Sequence, residues 1–169
     1  NVFVCNMESE YLYIINAKTD KLSDSILLSY ASNSLVEDKY GKIWVLCSGD
    51  KLLGKKAGLH CIDPISKTVL KSLLFLNTND KPLRLKTNAE KDELYFLNTH
   101  LYKFNINDNQ LPTNPFVSSN GTNFYALGIN PKNDEIYLGD AIDFIQKGKI
   151  TRYNKEGQEI NSFLAGIIP

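Results

Sequence analysis

Three aromatic residues recur in one setting, and that recurrence limits the folds open to this chain more than any other feature. Trp44, Tyr95 and Tyr137 each sit in the middle of an apolar run that follows a charged or Gly-containing turn: "KYGKIWVLC" (39–47), "EKDELYFLN" (90–98) and "NDEIYLGD" (133–140). They are 51 and 42 residues apart. A second marker runs in step with the first. In "LYIINAKTDKL" (12–22), "LHCIDPISKTVL" (59–70), "LYKFNINDNQL" (101–111) and "ITRYNKEGQEI" (150–160), an apolar run meets Asn or Asp, then a few turn residues, then another apolar run. Asn16, Asp63, Asn105 and Asn154 align at spacings of 47, 42 and 49. Asn and Asp suit such a place because their side chains bond nearby backbone amides and tolerate tight turns, so they read as hairpin punctuation.

Between the markers the chain offers only short runs rich in Val, Ile, Leu, Tyr and Phe, separated by turn residues, and almost no helical pattern. Repeats of this length built from four short strands are the pattern of β-propeller blades. The expected fold is all-β: a partial β-propeller of about four four-stranded antiparallel blades, half of a seven-bladed ring. A single domain over residues 1–169 is expected, with blade boundaries near 31, 78 and 121. The first blade is incomplete ("VFVCN", "YLYIINA", "DSILLSY"). The third has only a weak outer piece, near "NPFVSS". So few blades leave apolar faces and sheet edges open. The expectation is therefore a piece of a longer propeller, or a chain that pairs with another copy or a missing half to close the ring.

Composition excludes some partners. The 19 basic and 19 acidic residues cancel, so no broad field draws the chain to nucleic acid, and no nucleic-acid partner is expected. No apolar run is long enough to span a bilayer. Cys5, Cys47 and Cys61 lie in apolar runs and form no CxxC pair. They read as small buried hydrophobes, with a Cys47–Cys61 bridge between neighbouring strands as the alternative. His60 and His100 are isolated, so no metal site or cofactor is expected.

The segment "YALGINPKNDEIYLGDAIDFIQKGKITRYNKEGQEINSFLAGIIP" (125–169), with "SLVEDKYGKIWVLCSG" and "GLHCIDP" earlier in the chain, resembles YncE-like propellers, specifically surface lipoproteins of gut bacteria. The resemblance implies a secreted or surface-anchored propeller, an outer-membrane lipoprotein whose anchor is not in this chain. Some members, the BtuG-like proteins, capture cobalamin beside an outer-membrane transporter. The resemblance therefore admits such a ligand and such a transporter as partners.

In a propeller the loops joining second to third strands lie on the same face as those joining one blade to the next, and ligands commonly bind there. The first set here is 6–10, 48–57, 98–100 and 140–148. The second is 31–34, 77–82 and 118–123. Both are rich in Asn, Ser, Thr and Gly, offering donors and acceptors without one sign of charge. That suits a neutral polar ligand such as a corrinoid or a glycan, or a protein surface. The candidate ligand-binding residues are Asn6, Ser48, Asn98, Asn123, Tyr125, Asp140 and Asp143. For Asp140 three readings stand side by side: an acceptor for backbone amides of its own loop, a ligand contact, or a calcium site with Asp143. Tyr125, Phe124 and Phe144 either stack on a flat ligand or pack between blades. "DKLLGKK" is the one basic cluster and reads as a solvated loop tip. No catalytic motif is present and no catalytic residue is expected. The expected function is non-catalytic capture of a polar small molecule or a partner protein at a cell surface. The alternatives are a divalent-cation-dependent propeller lactonase or lyase, and a protein-interaction scaffold.

Overall fold

The computed structural model describes residues 1–169 and contains strands and turns but no helix. Four antiparallel sheets follow one another along the chain. The first holds β1 (Val2–Val4), β2 (Tyr11–Asn16) and β3 (Lys21–Leu27). The second holds β4 (Ser32–Glu37), β5 (Ile43–Cys47), β6 (Gly58–Asp63) and β7 (Thr68–Leu74). The third holds β8 (Leu83–Thr87), β9 (Glu93–Asn98) and β10 (His100–Asn105), and the fourth β11 (Phe124–Ile129), β12 (Ile136–Asp140), β13 (Lys149–Tyr153) and β14 (Glu159–Leu164). In every sheet the strands pair in chain order, as an up-and-down meander.

The sheets number four, as expected, but two of them are three-stranded. The outer piece of the third reduces to a single bridge, Leu101 to Val117. Pro112 and Pro115 lie just before it and have no N–H to give to a ladder.

The second class of sequence marker does what its chemistry predicts. Asn16, Asp63, Asn105 and Asn154 each accept the backbone N–H of the residue two places on, at 2.8–3.1 Å. Each outer-strand bulge also recurs at a matching place, leaving Ser23, Leu70 and Ile160 unpaired in β3, β7 and β14. Burial falls from the middle of each sheet to its outer edge. All five residues of β5 are buried, whereas all six of β14 are exposed. The unbroken apolar run Ile43–Cys47 is what a strand covered on both faces requires.

The chain divides into two compact units, Asn1–Leu85 with Asn109–Leu111, and Lys86–Asp108 with Pro112–Pro169. The core of the first gathers Leu12, Ile14, Val45 and Ile62, all with no exposed surface, together with Ile26, Ile43 and Cys47. Each of those fully buried aliphatic side chains contributes about 2 kcal/mol of transfer free energy. The core of the second gathers Tyr95, Leu97, Leu101, Leu127, Ile136 and Leu138.

The three cysteines are free, so the Cys47–Cys61 bridge is not formed. Register explains why. Trp44 lies opposite Cys61 and Cys47 opposite Gly58, which puts the two sulfurs on opposite faces of the sheet. Burial raises both thiols, Cys47 to about 12 and Cys61 to about 11, so they stay protonated.

Candidate functional site

Two inner strands carry a bulge at the same place. Ser32 pairs with Cys47 and Ser34 with Leu46, which leaves Asn33 as the extra residue of β4. Phe124 pairs with Asp140 and Ala126 with Gly139, which leaves Tyr125 as the extra residue of β11. A bulge re-aims the side chain it expels, and in each unit that side chain meets the loop residues the sequence had singled out.

In the first unit, Asn33 donates through Nδ2 to Ser48 Oγ at 2.9 Å and to the Pro82 carbonyl at 3.0 Å. Ser48 is buried and donates its own hydroxyl to the same carbonyl at 3.1 Å. Asn6 adjoins this seam: its N–H donates to Ser32 Oγ, and its side chain accepts the Glu8 N–H. Asn33 was missing from the candidates. Its loop, 31–34, was in view, but nothing local distinguishes a bulged Asn from its neighbours.

Beyond Ser48 lies an open cleft of about 520 Å³ lined by Ser48–Leu52 on one side and Thr78–Lys81 on the other. It joins one loop between second and third strands to one loop between sheets, the two classes named above. Most lining residues are polar and of mixed sign, Asp50, Lys51, Thr78, Asn79, Asp80 and Lys81, with Leu52 as an apolar member. Its first wall is a tight hairpin. Asp50 and Lys55 exchange backbone hydrogen bonds at 2.8 Å, Gly54 N–H donates to the Lys51 carbonyl, and Leu53 N–H donates to the Asp50 carboxylate. Gly49 sets the base of that hairpin at φ +67°, and a Cβ there would stand 2.5 Å from the Lys55 carbonyl oxygen. Left-handed backbone and collision with main chain act together. Gly49→Ala is therefore expected to cost about 2 kcal/mol or more, read as a lowered urea midpoint, and to weaken any ligand held by the cleft.

In the second unit, Asn123 and Tyr125 touch the loop that carries Asp140 and Asp143, through Ala141 and Phe144. The Asn123 carbonyl accepts the Ala141 N–H, and Tyr125 meets Phe144 edge-on with ring centroids 5.4 Å apart. Both rings stay partly exposed. The two carboxylates hold their own loop: Asp140 accepts the Ile142 N–H at 2.8 Å, and Asp143 accepts those of Gln146 and Ile145 at 2.9 and 3.0 Å. Those amides, Gln146 first, keep the Asp143 carboxyl below its ordinary range. Gly139 and Gly148 leave room for Pro169, whose carbonyl and ring lie where their Cβ atoms would stand. Asn98 opens the short turn into β10. His100, two residues on, accepts the Ser119 N–H through Nδ1. No group of three or more His, Cys, Asp or Glu side chains gathers where a metal ion could be held.

One polar trio, centred on the buried His60, lies apart from these loops. His60 Nε2 accepts the Ser29 N–H at 3.2 Å and lies 3.0 Å from Ser29 Oγ, while Nδ1 lies 3.0 Å from Ser72 Oγ. A backbone N–H can only donate, so Nε2 carries no proton and Nδ1–H donates to Ser72. Gly58 makes room for this, since a Cβ there would fall 2.6 Å from both Nε2 and Ser29 Oγ.

No protein-family model matches the chain, and no curated protein matches it. Solved structures do. A quinonprotein alcohol dehydrogenase-like protein from Bacteroides thetaiotaomicron superposes with a TM-score of 0.75 at 15% identity, over 97% of this chain and 43% of that one. Kuenenia stuttgartiensis hydrazine synthase superposes with a TM-score of 0.73 at 10% identity, over 97% of this chain and 46% of that one. A lactonase-like protein from Bacteroides uniformis gives 0.66 at 11% identity, over 98% and 55%. The chain thus spans about half the length of the structures it resembles. At these identities the likeness is one of fold, and the fold is part of a β-propeller.

Proposed function

We propose that the chain is a non-catalytic binding module that takes a neutral, polar small molecule into the cleft between Ser48–Leu52 and Thr78–Lys81. The cleft itself carries this reading: its volume falls in the range of small-molecule sites, and its walls offer hydroxyl, amide, carboxylate and ammonium groups together. Mixed donors and acceptors suit a polyhydroxylated or amide-bearing ligand, a glycan or a corrinoid, better than an ion of either sign. The Asn33–Ser48–Pro82 seam fixes the cleft floor before any ligand arrives, which lowers the cost of binding. Placement at a bacterial surface, beside an outer-membrane transporter, belongs to the same proposal and rests on the resemblance of residues 125–169 to YncE-like lipoproteins.

Calorimetric titration with cobalamin and a panel of neutral oligosaccharides tests it. One member is expected to bind, and Asn79→Ala to weaken that binding about tenfold, the size of one lost hydrogen bond in a partly desolvated site. Tyr125→Ala is expected to leave it unchanged. Binding lost in Tyr125→Ala and kept in Asn79→Ala would move the site to the second unit. No heat from any member would remove the small-molecule reading.

A further inference from the structure

The hairpin that walls the cleft ends in an unusual tip. Leu52 is 94% exposed and Leu53 58%, although apolar side chains are seldom presented together on a turn. Lys51, Lys55 and Lys56 flank them and are all exposed. The two acids nearest the tip, Asp50 and Glu10, are outnumbered by these three lysines, and Asp80 across the cleft is matched by Lys81. Asp50 accepts the Leu53 N–H, and Glu10 pairs with Lys55 at 2.9 Å. The tip is also rigid, since the Asp50–Lys55 pair, the Gly54-to-Lys51 bond and the crowded Gly49 leave it little freedom.

We propose that this tip docks the protein on an anionic lipid surface, with Leu52 and Leu53 entering the headgroup–acyl boundary and Lys51 and Lys56 meeting lipid phosphates. Three features fit that partner. Two adjacent leucines standing furthest out are the apolar element, and basic side chains behind them sit at headgroup depth with their alkyl stems beside the leucines. The N–H groups of Leu53 and Gly54 are satisfied within the hairpin, which lowers the cost of carrying the tip out of water. The charge is local, since the chain as a whole is neutral, so attraction acts at the tip and orients the protein there. Two leucines and two free lysines give weak, reversible attachment. Lys51 and Leu52 also line the cleft, so lipid binding is read with no cleft ligand present and ligand capture is titrated without lipid.

Co-sedimentation of the whole chain with phosphatidylcholine vesicles, with and without phosphatidylglycerol, tests it. Binding to the anionic vesicles is expected, falling about tenfold in L52S/L53S and about tenfold in K51Q/K56Q, and falling further with added salt. Melting curves matching the unaltered protein confirm that the exposed tip has been changed without loss of fold. Absence of binding to anionic vesicles overturns the proposal, as does equal binding by L52S/L53S. Self-association in light scattering that L52S/L53S abolishes, without vesicle binding, would assign the tip to a second copy of the chain and also overturn it.

Discussion

Lowering the pH from 6.5 to 4 is expected to cost the fold about 3 kcal/mol through His60 alone. Burial depresses this imidazole from 6.5 to about 4. In that interval the unfolded chain binds a proton that the folded chain refuses, so stability rises with pH. The contribution is complete above 6.5 and is lost as pH falls through about 4. The geometry gives the same sign independently. Protonated Nε2 would turn its N–H toward the Ser29 N–H, donor against donor, where a 3.2 Å hydrogen bond now stands. The carboxylates Asp24, Asp63 and Asp143 are also depressed, but from 3.8, so their losses set in only near about pH 5 and fall mostly below the His60 window, overlapping its acid end. Urea unfolding at a series of pH values reads the effect. His60→Gln is expected to flatten the slope between 4 and 6.5 while lowering stability at neutral pH. An unchanged slope in that variant would show that the acid sensitivity lies elsewhere.

How much of this was legible in the sequence depends on whether the cause is local. The four Asx turns at Asn16, Asp63, Asn105 and Asn154 were readable because donor and acceptor sit two residues apart, and any Asn or Asp after a strand has the same options. The strands around Trp44, Tyr95 and Tyr137 were readable because an apolar run with a fixed turn before it has one stable use. A further marker went unseen. Asp38 and Asn88 each accept two amides of the turn entering the second strand, and Asn130 accepts one. They share a role but not a residue type, and turns of unequal length hide the alignment.

The bulges at Asn33 and Tyr125 were not legible either. A one-residue slip in pairing is set by the partner strand and leaves no trace in composition. The His60 trio draws on three segments, at Ser29, Gly58–His60 and Ser72, so no local window contains it. The cleft is legible in outline only. Its two loops were singled out by class, but that 48–52 and 78–81 face one another depends on how consecutive sheets meet. Asp140 was readable as a loop-forming residue, because an acid at a strand end finds backbone amides first, whereas Asp143, read only as a ligand or calcium candidate, turns out to hold its own loop in the same way.

Truncating Trp44 is expected to be the most costly single change of those considered, about 4 kcal/mol for Trp44→Ala. The side chain is 1% exposed in the middle of β5, and Lys71 Nζ lies 5.7 Å from its ring centre. Volume is only part of the cost. Trp44 Nε1 donates to Asp38 Oδ2 at 2.9 Å, and Oδ1 of the same carboxylate accepts the N–H groups of Tyr40 and Lys42. Asp38 is itself only 3% exposed, so losing the indole donor leaves a buried carboxylate oxygen short of a partner. Tyr95 and Tyr137 repeat the device, donating their hydroxyls to Glu93 and Glu135 at 3.1 Å. In three of the four sheets the aromatic marker ties itself to an acid nearby in the chain, with Trp44 and Tyr95 fully buried and Tyr137 half-buried. Trp44→Phe separates the two effects, since it keeps most of the apolar contact and deletes the donor. Its expected cost is about 2 kcal/mol, from the orphaned carboxylate and the lost ring volume. A cycle with Asp38→Ala then measures the bond. The double variant is expected to fall short of the summed single losses by about 1–2 kcal/mol, because removing the carboxylate removes the need for its donor. Strict additivity in urea midpoints would mean that Trp44 acts by volume alone, and that its recurrence with Tyr95 and Tyr137 reflects packing rather than the closing of the turn.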